Sequence, residues 1–170
     1  MSVSEVHTVG VTMKLNNATL LDLPARVVRP KYDRSKLTPG IVHIGLGNFH
    51  RAHQAWYLHR LMQTGEAFDW AIIGAGVRPN DAAQRQRLAE QDYLTTLIEL
   101  DPAATSAEIV GSMIDFAPVE VHNTALIKQM ADPAIRIVSL TVTESGYFID
   151  PTSGAFDANH ADIQHDIANP

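Results

Sequence analysis

The chain has 170 residues, of which 45% are apolar and 19% charged, and this composition is typical of a folded globular protein with one core. The formal net charge is -6, and the basic residues are scattered, so we expect no nucleic-acid partner. The absence of cysteine excludes disulfides, thiolate catalysis and thiolate-zinc sites, and it suits a reducing cytoplasm, where we expect the protein to act. No apolar run approaches the roughly 18 residues that span a bilayer, so we also expect no membrane partner.

Residues 1–39 contain three prolines and lack sustained hydrophobic periodicity. We interpret them as an extended N-terminal arm with one short strand or helix near residues 14–23.

From residue 40 onwards, short apolar runs alternate with segments of helical periodicity. The predicted strands are residues 41–45, 70–77, 93–100, 109–116 and 135–143, and the predicted helices are residues 49–62, 81–91, 123–130 and 161–168. Residues 147–156 have the composition of a hairpin. The alternation predicts an α/β fold for residues 40–170, with a doubly wound, mostly parallel sheet and helices on both faces.

A glycine turn follows the first of these strands. Gly45 and Gly47 allow a sharp turn and a close approach of the backbone to an anion, and the free N–H groups of the next helix favour a phosphate pair. The third glycine of the usual dinucleotide fingerprint falls at His50, so the match is partial, and an ordinary glycine turn is the alternative interpretation. The cofactor-binding residues predicted here are Gly45, Leu46, Gly47, Asn48, Phe49, His50 and Arg51.

Asp81 follows the second strand, where a dinucleotide site needs an acceptor for the adenosine ribose. It lies about 34 residues after Gly47, against roughly 20 in the commonest pattern, so the connection before the second strand must absorb the difference. The alternative role of Asp81 is a negative charge that stabilises the N-terminus of its own helix.

Thr143 ends the last predicted parallel strand and Glu144 follows it, where loops face the cofactor crevice, and we predict that both contact the cofactor. A simple turn acid beside Gly146 is the alternative for Glu144. Two further patterns do not predict a site. His50, His53 and His59 share a predicted helix, and the spacing of His50 and His53 would let both face one metal, but no third ligand is evident nearby, so we expect satisfied surface or turn histidines and no metal. Tyr32 and Lys36 match the pair of short-chain dehydrogenases, but they precede the first strand.

The segment IVHIGLGNFHRAHQA, residues 41–55, resembles the opening motif of the polyol-specific long-chain dehydrogenases of the mannitol 2-dehydrogenase type. IVSL at residues 137–140 and TVTESGY at residues 141–147 also match that family. Residues 69–78 and 91–94 are more similar to mannitol 2-dehydrogenase than to fructuronate reductase.

The resemblance implies a Rossmann-type domain that binds NAD, with oxidation of mannitol to fructose by a lysine base in a second, helical domain. We therefore expect the missing C-terminal domain as a partner, a polyol or ketose as substrate, no catalytic residue in these 170 residues, and an inactive fragment. The family glutamate before Asp81 is Asn80 here. The alternatives are a relative of fructuronate reductase or arabinitol dehydrogenase, and a stand-alone nucleotide-binding module without catalysis.

Overall fold

The computed structural model describes residues 14–102 and 104–170. The strands are β1 (Val27–Val28), β2 (Pro39–Ile44), β3 (Ala71–Ala75), β4 (Thr95–Leu100), β5 (Thr105–Val110), β6 (Met113–Phe116) and β7 (Ile137–Leu140). The α-helices are α1 (Asn48–Ala52), α2 (Gln54–Met62), α3 (Asp81–Ala89), α4 (Thr124–Met130) and α5 (Ala161–Ala168). Short 3₁₀ helices lie at Asn17–Asp22, Arg34–Lys36, Phe68–Trp70 and Glu144–Tyr147. None of the helices within these ranges is long and apolar enough to cross a membrane.

Four parallel strands form the main sheet in the order β6-β3-β2-β7. The chain runs outwards from β2 through β3 to β6 and then returns to the other side of β2 as β7. The strand order therefore reverses between β2 and β7, and the carboxyl ends of these two strands flank the crevice where open α/β sheets bind ligands. The prediction of a doubly wound parallel sheet is confirmed.

Helices cover both faces of this sheet because its central strands are apolar on both sides. Ile41 of β2 packs in a cluster with Ala55 of α2 and Leu88 of α3. Its neighbour Val42 points the opposite way and packs in a cluster with Leu126 of α4. Consecutive strand residues thus supply two cores, which explains the near-continuous apolar runs in the sequence.

The structure differs from the sequence prediction in three places. The single strand expected at residues 109–116 is the end of β5 followed by β6, with a break at which the buried Ser112 hydroxyl donates to the carbonyl of Ala55. β4 and β5 form an antiparallel hairpin, and β1 adds to it in parallel, so these strands make a second sheet. The helix expected at residues 49–62 is also divided, because His53 leaves helical geometry with φ -122° and ψ -84°.

The described part of the arm packs against the domain through Arg34. Its guanidinium donates to the carbonyl oxygens of Gly111, Asp92 and Met113 at 3.0, 2.8 and 2.8 Å. It also donates to the side chain of Asn17 within the arm. The planar fork of arginine serves all these acceptors at once, which a single ammonium group cannot do. The boundary between an arm of residues 1–39 and a domain of residues 40–170 stays a prediction.

Arg34→Lys should lower the free energy of unfolding by about 2–4 kcal/mol, because it leaves partly buried carbonyl groups without donors. Urea titration measures this change. Arg26→Lys, at an exposed position of the same arm, is the control and should change stability by less than about 0.5 kcal/mol. An equal effect of the two variants would contradict a special role for Arg34.

Candidate functional site

The turn after β2 uses its two glycines differently. Gly45 has φ +94°, a left-handed conformation that favours glycine, and its N–H donates to Ala75 O at 2.9 Å. Gly47 has an ordinary φ of -67° and is the N-cap of α1. Apart from its chain neighbours, a Cβ added to Gly47 would have no atom of residues 14–102 or 104–170 within 4 Å. Gly45 is therefore required by the backbone, whereas Gly47 leaves open space beside the start of the helix.

Leu46 anchors this turn in the core. Its side chain is only 1% exposed and lies over Gly74 of β3, where a Cβ would collide with it. Its carbonyl accepts a hydrogen bond from Gln84 Nε2 at 2.6 Å. The turn is thus fixed from below by packing and from the side by α3.

The residues that open α1 divide between the surface and the core. Asn48 and Arg51 are hydrogen-bonded to each other and line a cavity of about 270 Å³ with residues of β4. Phe49 is 67% exposed, and its ring stacks on that of His53 at 4.4 Å. The N–H groups of Asn48 and Phe49 lie in the first turn of α1, where the helix itself supplies no acceptor.

His50 is buried, in contrast to the expectation of surface or turn histidines, which is wrong for both His50 and His59. The ring of His50 stacks on that of His43 in β2, with centroids 3.7 Å apart and planes at 13°. The position where the usual fingerprint has its third glycine is therefore filled by two stacked imidazoles. The side chain of His50 faces the sheet, so only its backbone N–H belongs to the opening of the helix.

His43 connects this stack to β7. Its Nδ1 lies 2.8 Å from Ser139 Oγ, and its Nε2 lies 2.9 Å from Thr141 Oγ1. Burial lowers the pKa of His43, and a hydrogen bond with the backbone of Gly45 opposes that shift. Burial, reinforced by the neighbouring His43, lowers the pKa of His50 to about 3. Both rings are accordingly neutral at neutral pH.

Asp81 is the first residue of α3, beside the carboxyl end of β3. Its carboxylate occupies the space over Gly76, where an added Cβ would lie 2.5 Å from Oδ2. The same oxygen accepts from the backbone N–H of Arg78 at 2.9 Å. Asp81 thus stabilises its own turn and, at the same time, brings a carboxylate to the edge of the crevice.

A cavity of about 440 Å³ lies between the turn after β3 and the loop after β7. Thr143 is one of its lining residues, and Glu144 begins the next 3₁₀ helix, although its side chain is outside the described part of the structure. The full lining is Arg78, Thr141, Val142, Thr143, Gly146, Phe148, His160 and Asp162. The predicted residues therefore lie around two cavities, with Asn48 and Arg51 at one and Thr143 at the other.

Sequence reasoning missed three residues of this region. Thr141 and His160 line the larger of the two cavities, and His43 lies directly below the turn. Only His43 carried a usable signal, since it is a polar residue inside an otherwise apolar strand. His160 is distant in sequence from the turn after β3, and only folding brings the two together at the cavity.

Comparison with known proteins identifies the family. Residues 39–169 match the family model described as the mannitol dehydrogenase Rossmann domain. The chain belongs to the mannitol dehydrogenase Rossmann domain family. The family match confirms the resemblance seen in the sequence and the assignment of a Rossmann-type fold.

The relatives that the chain matches are much longer than the chain. Mannitol 2-dehydrogenase of Cereibacter sphaeroides is 65% identical over 85% of the chain and 30% of the relative. Polyol:NADP oxidoreductase of Gluconobacter oxydans is 41% identical over 92% of the chain and 32% of the relative. The chain is also similar to the solved ternary complex of Pseudomonas fluorescens mannitol 2-dehydrogenase with NAD and D-mannitol, with a TM-score of 0.78 and 50% sequence identity. The match covers 93% of the chain and 32% of the length of that protein. The chain thus spans about 30% of the length of the relatives that it matches.

The buried histidines of the mannitol dehydrogenase domain make its stability dependent on pH. Burial lowers the pKa of His43, His50 and His59 in the folded state, so the unfolded chain, with a histidine pKa near 6.5, binds more protons in acid. The free energy of unfolding should therefore fall as the pH drops below about 6.5, by up to about 1.4 kcal/mol per pH unit for each histidine.

His50→Phe should reduce that slope by about one proton between pH 6 and roughly 4, because phenylalanine keeps the ring and cannot be protonated. Urea titrations at several pH values measure the slope. His122→Ala, at an exposed position, is the control. A slope in His50→Phe equal to that of the unsubstituted protein would show that His50 does not contribute.

Proposed function

We propose that this chain binds NAD at the carboxyl ends of β2, β3 and β7 and forms the cofactor-binding part of a dehydrogenase that oxidises D-mannitol to D-fructose. The observation that carries the proposal is the open turn at Gly47, which lies where the strand order reverses. Membership of the mannitol dehydrogenase family and the likeness to a solved complex with NAD and D-mannitol support it.

The residues present fit a dinucleotide. The space beside Gly47 accommodates a pyrophosphate, and the N–H groups of Asn48 and Phe49 are available to it at the start of α1. Arg51 supplies a nearby positive charge, while Asp81 offers a carboxylate to the ribose hydroxyls and Thr143 lines the opposite wall. When bound, NAD accepts the hydride that the alcohol carbon loses on oxidation to a ketone. The protein residues described above bind and orient it.

Gly47→Val tests the cofactor site. The added side chain would extend into space that none of the described residues fills, so we expect the fold to be retained and the pyrophosphate to be excluded. The affinity for NADH should fall at least roughly tenfold, about 1.4 kcal/mol. Quenching of protein fluorescence on NADH titration measures it.

Gly45→Val is the matched control for this experiment. It forces a β-branched residue into φ +94°, so it should lower the unfolding midpoint as well as the affinity. Unchanged NADH affinity in a folded Gly47→Val protein would refute the proposed site.

Asp81 underlies our proposal that the cofactor is NAD. A carboxylate accepts hydrogen bonds from the free ribose diol and repels the additional phosphate of NADP. The preceding residue is the neutral Asn80, so Asp81 supplies the negative charge of this turn. One relative in the family is named as an NADP oxidoreductase, which makes the charge at this position worth testing.

Asp81→Asn separates the charge from the turn contact, since the amide oxygen can still accept from the N–H of Arg78. The ratio of the NADPH to the NADH dissociation constant should fall by roughly 5- to 100-fold, the equivalent of about 1–3 kcal/mol. Fluorescence titration with both cofactors measures the ratio. Asp22→Asn removes an equal charge from the exposed arm and should leave the ratio unchanged. If Asp81→Asn also leaves it unchanged, Asp81 only stabilises its helix.

We propose that substrate binding and proton transfer depend on residues that the relatives carry beyond the matched part. We assign no catalytic residue within the chain and expect it to be inactive alone. The exposed apolar residues of the edge strand β7 support a contact there, since Ile137, Val138 and Leu140 are 43%, 48% and 60% exposed. An unpaired apolar edge is a favourable place for further strands or helices.

A further inference from the structure

We propose that His43 is a positioning residue of the nucleotide crevice. Its side chain fixes the position of the glycine turn relative to the loop after β7. The inference rests on the proposed NAD site and adds a buried residue that is not itself one of the predicted cofactor contacts. His43 is 3% exposed and lies on β2, directly below the point where the strand order reverses.

One imidazole contacts both walls of the crevice. On the side of the turn, it stacks on His50 of α1, with the ring centroids 3.7 Å apart. On the side of the loop, its Nε2 lies 2.9 Å from Thr141 Oγ1. Its Nδ1 lies 2.8 Å from Ser139 Oγ within β7, which fixes the orientation of the ring.

The two walls also contact each other through Thr141. A Cβ built on Gly45 would lie 3.6 Å from Thr141 Cβ and from its carbonyl oxygen, an ordinary packing distance. The N–H of Thr141 donates to Ile44 O at 3.0 Å. A shift of the Thr141 side chain would therefore move the loop that carries Thr143 relative to the turn at Gly47.

The side chain at residue 43 needs several properties at once. It needs a flat ring to stack on His50, and it needs two polar atoms on opposite sides of that ring for Ser139 and Thr141. Phenylalanine has only the ring, while glutamine has polar atoms at a similar reach without the ring. These differences allow the stacking and the hydrogen bonds to be separated by substitution.

The experiment is a double-mutant cycle with His43→Phe and Thr141→Val, with NADH affinity as the readout. Each single variant should weaken NADH binding roughly three- to tenfold, because each removes the same buried hydrogen bond. The double variant should be no more than about twofold weaker than His43→Phe, since Thr141 acts through His43. His43→Gln should restore affinity to within about threefold of the unsubstituted protein.

His59→Phe is the matched control, because His59 is fully buried but contacts Tyr32 and Gly111, away from the crevice. It should lower the unfolding midpoint and leave the NADH affinity unchanged. Additive losses in the cycle, or unchanged affinity in His43→Phe, would overturn the inference. If His43→Phe does not fold, Thr141→Val is compared with His43→Gln instead. Equal losses of NADH affinity in these two variants would overturn the inference.

A failure of the proposed function has a different signature. If the unsubstituted protein shows no saturable NADH binding, the NAD site is wrong, and the amide resonances of Gly45 and Gly146 then test the positioning role without cofactor. Both resonances should shift in His43→Phe and stay in place in His59→Phe. Failure of either resonance to shift in His43→Phe would overturn the positioning role.

Discussion

The left-handed backbone of Gly45 is the constraint on which the crevice depends. It turns the chain at the end of β2 so that Leu46 enters the core and Gly47 caps a helix that begins one residue later. A side chain at Gly45 would be strained by its φ value, although space for a Cβ exists there. The open volume at Gly47 is thus a consequence of the left-handed turn that glycine permits at residue 45. The two glycines of the motif therefore differ, since the backbone requires Gly45, whereas Gly47 leaves the space in which we propose that the cofactor binds.

The alternation of strands and helices could be predicted because the central strands are apolar on both faces, as Ile41 and Val42 illustrate. The hairpin of β4 and β5 could not, because its residues are mostly half-buried or exposed and their pattern does not reveal which sheet they join. The break at His53 was equally hidden, since the helical spacing of apolar residues continues across it. Hydrophobic periodicity in the sequence indicates which residues are buried, but it gives little information about which strands pair or where a helix breaks.

The candidate site could be predicted at the level of the backbone. Glycines between a strand and a helix specify where free N–H groups lie, whatever the neighbouring side chains do. The direction of the His50 side chain could not be predicted, since α1 has five residues and its phase against the sheet depends on the His43 stack. Asp81 shows a third case, because the structure shows its carboxylate stabilising its own turn, whereas its contact with a ribose stays a prediction.

Buried imidazoles perform related tasks at the two edges of the parallel sheet. At the amino edge, His59 Nδ1 lies 3.3 Å from the backbone N of Gly111 and 2.7 Å from Tyr32 Oη. Because the N–H of Gly111 donates to it, Nδ1 is an acceptor, and the proton of the neutral ring is on Nε2. Nε2 faces Glu108 Oε1 at 3.4 Å. That network joins the arm to the domain. At the carboxyl edge, His43 joins the turn to the loop after β7. In each case, the low dielectric of the core makes the loss of a hydrogen bond costly in free energy. A neutral buried histidine therefore fixes the relative position of the two segments that it joins more firmly than non-directional apolar packing does.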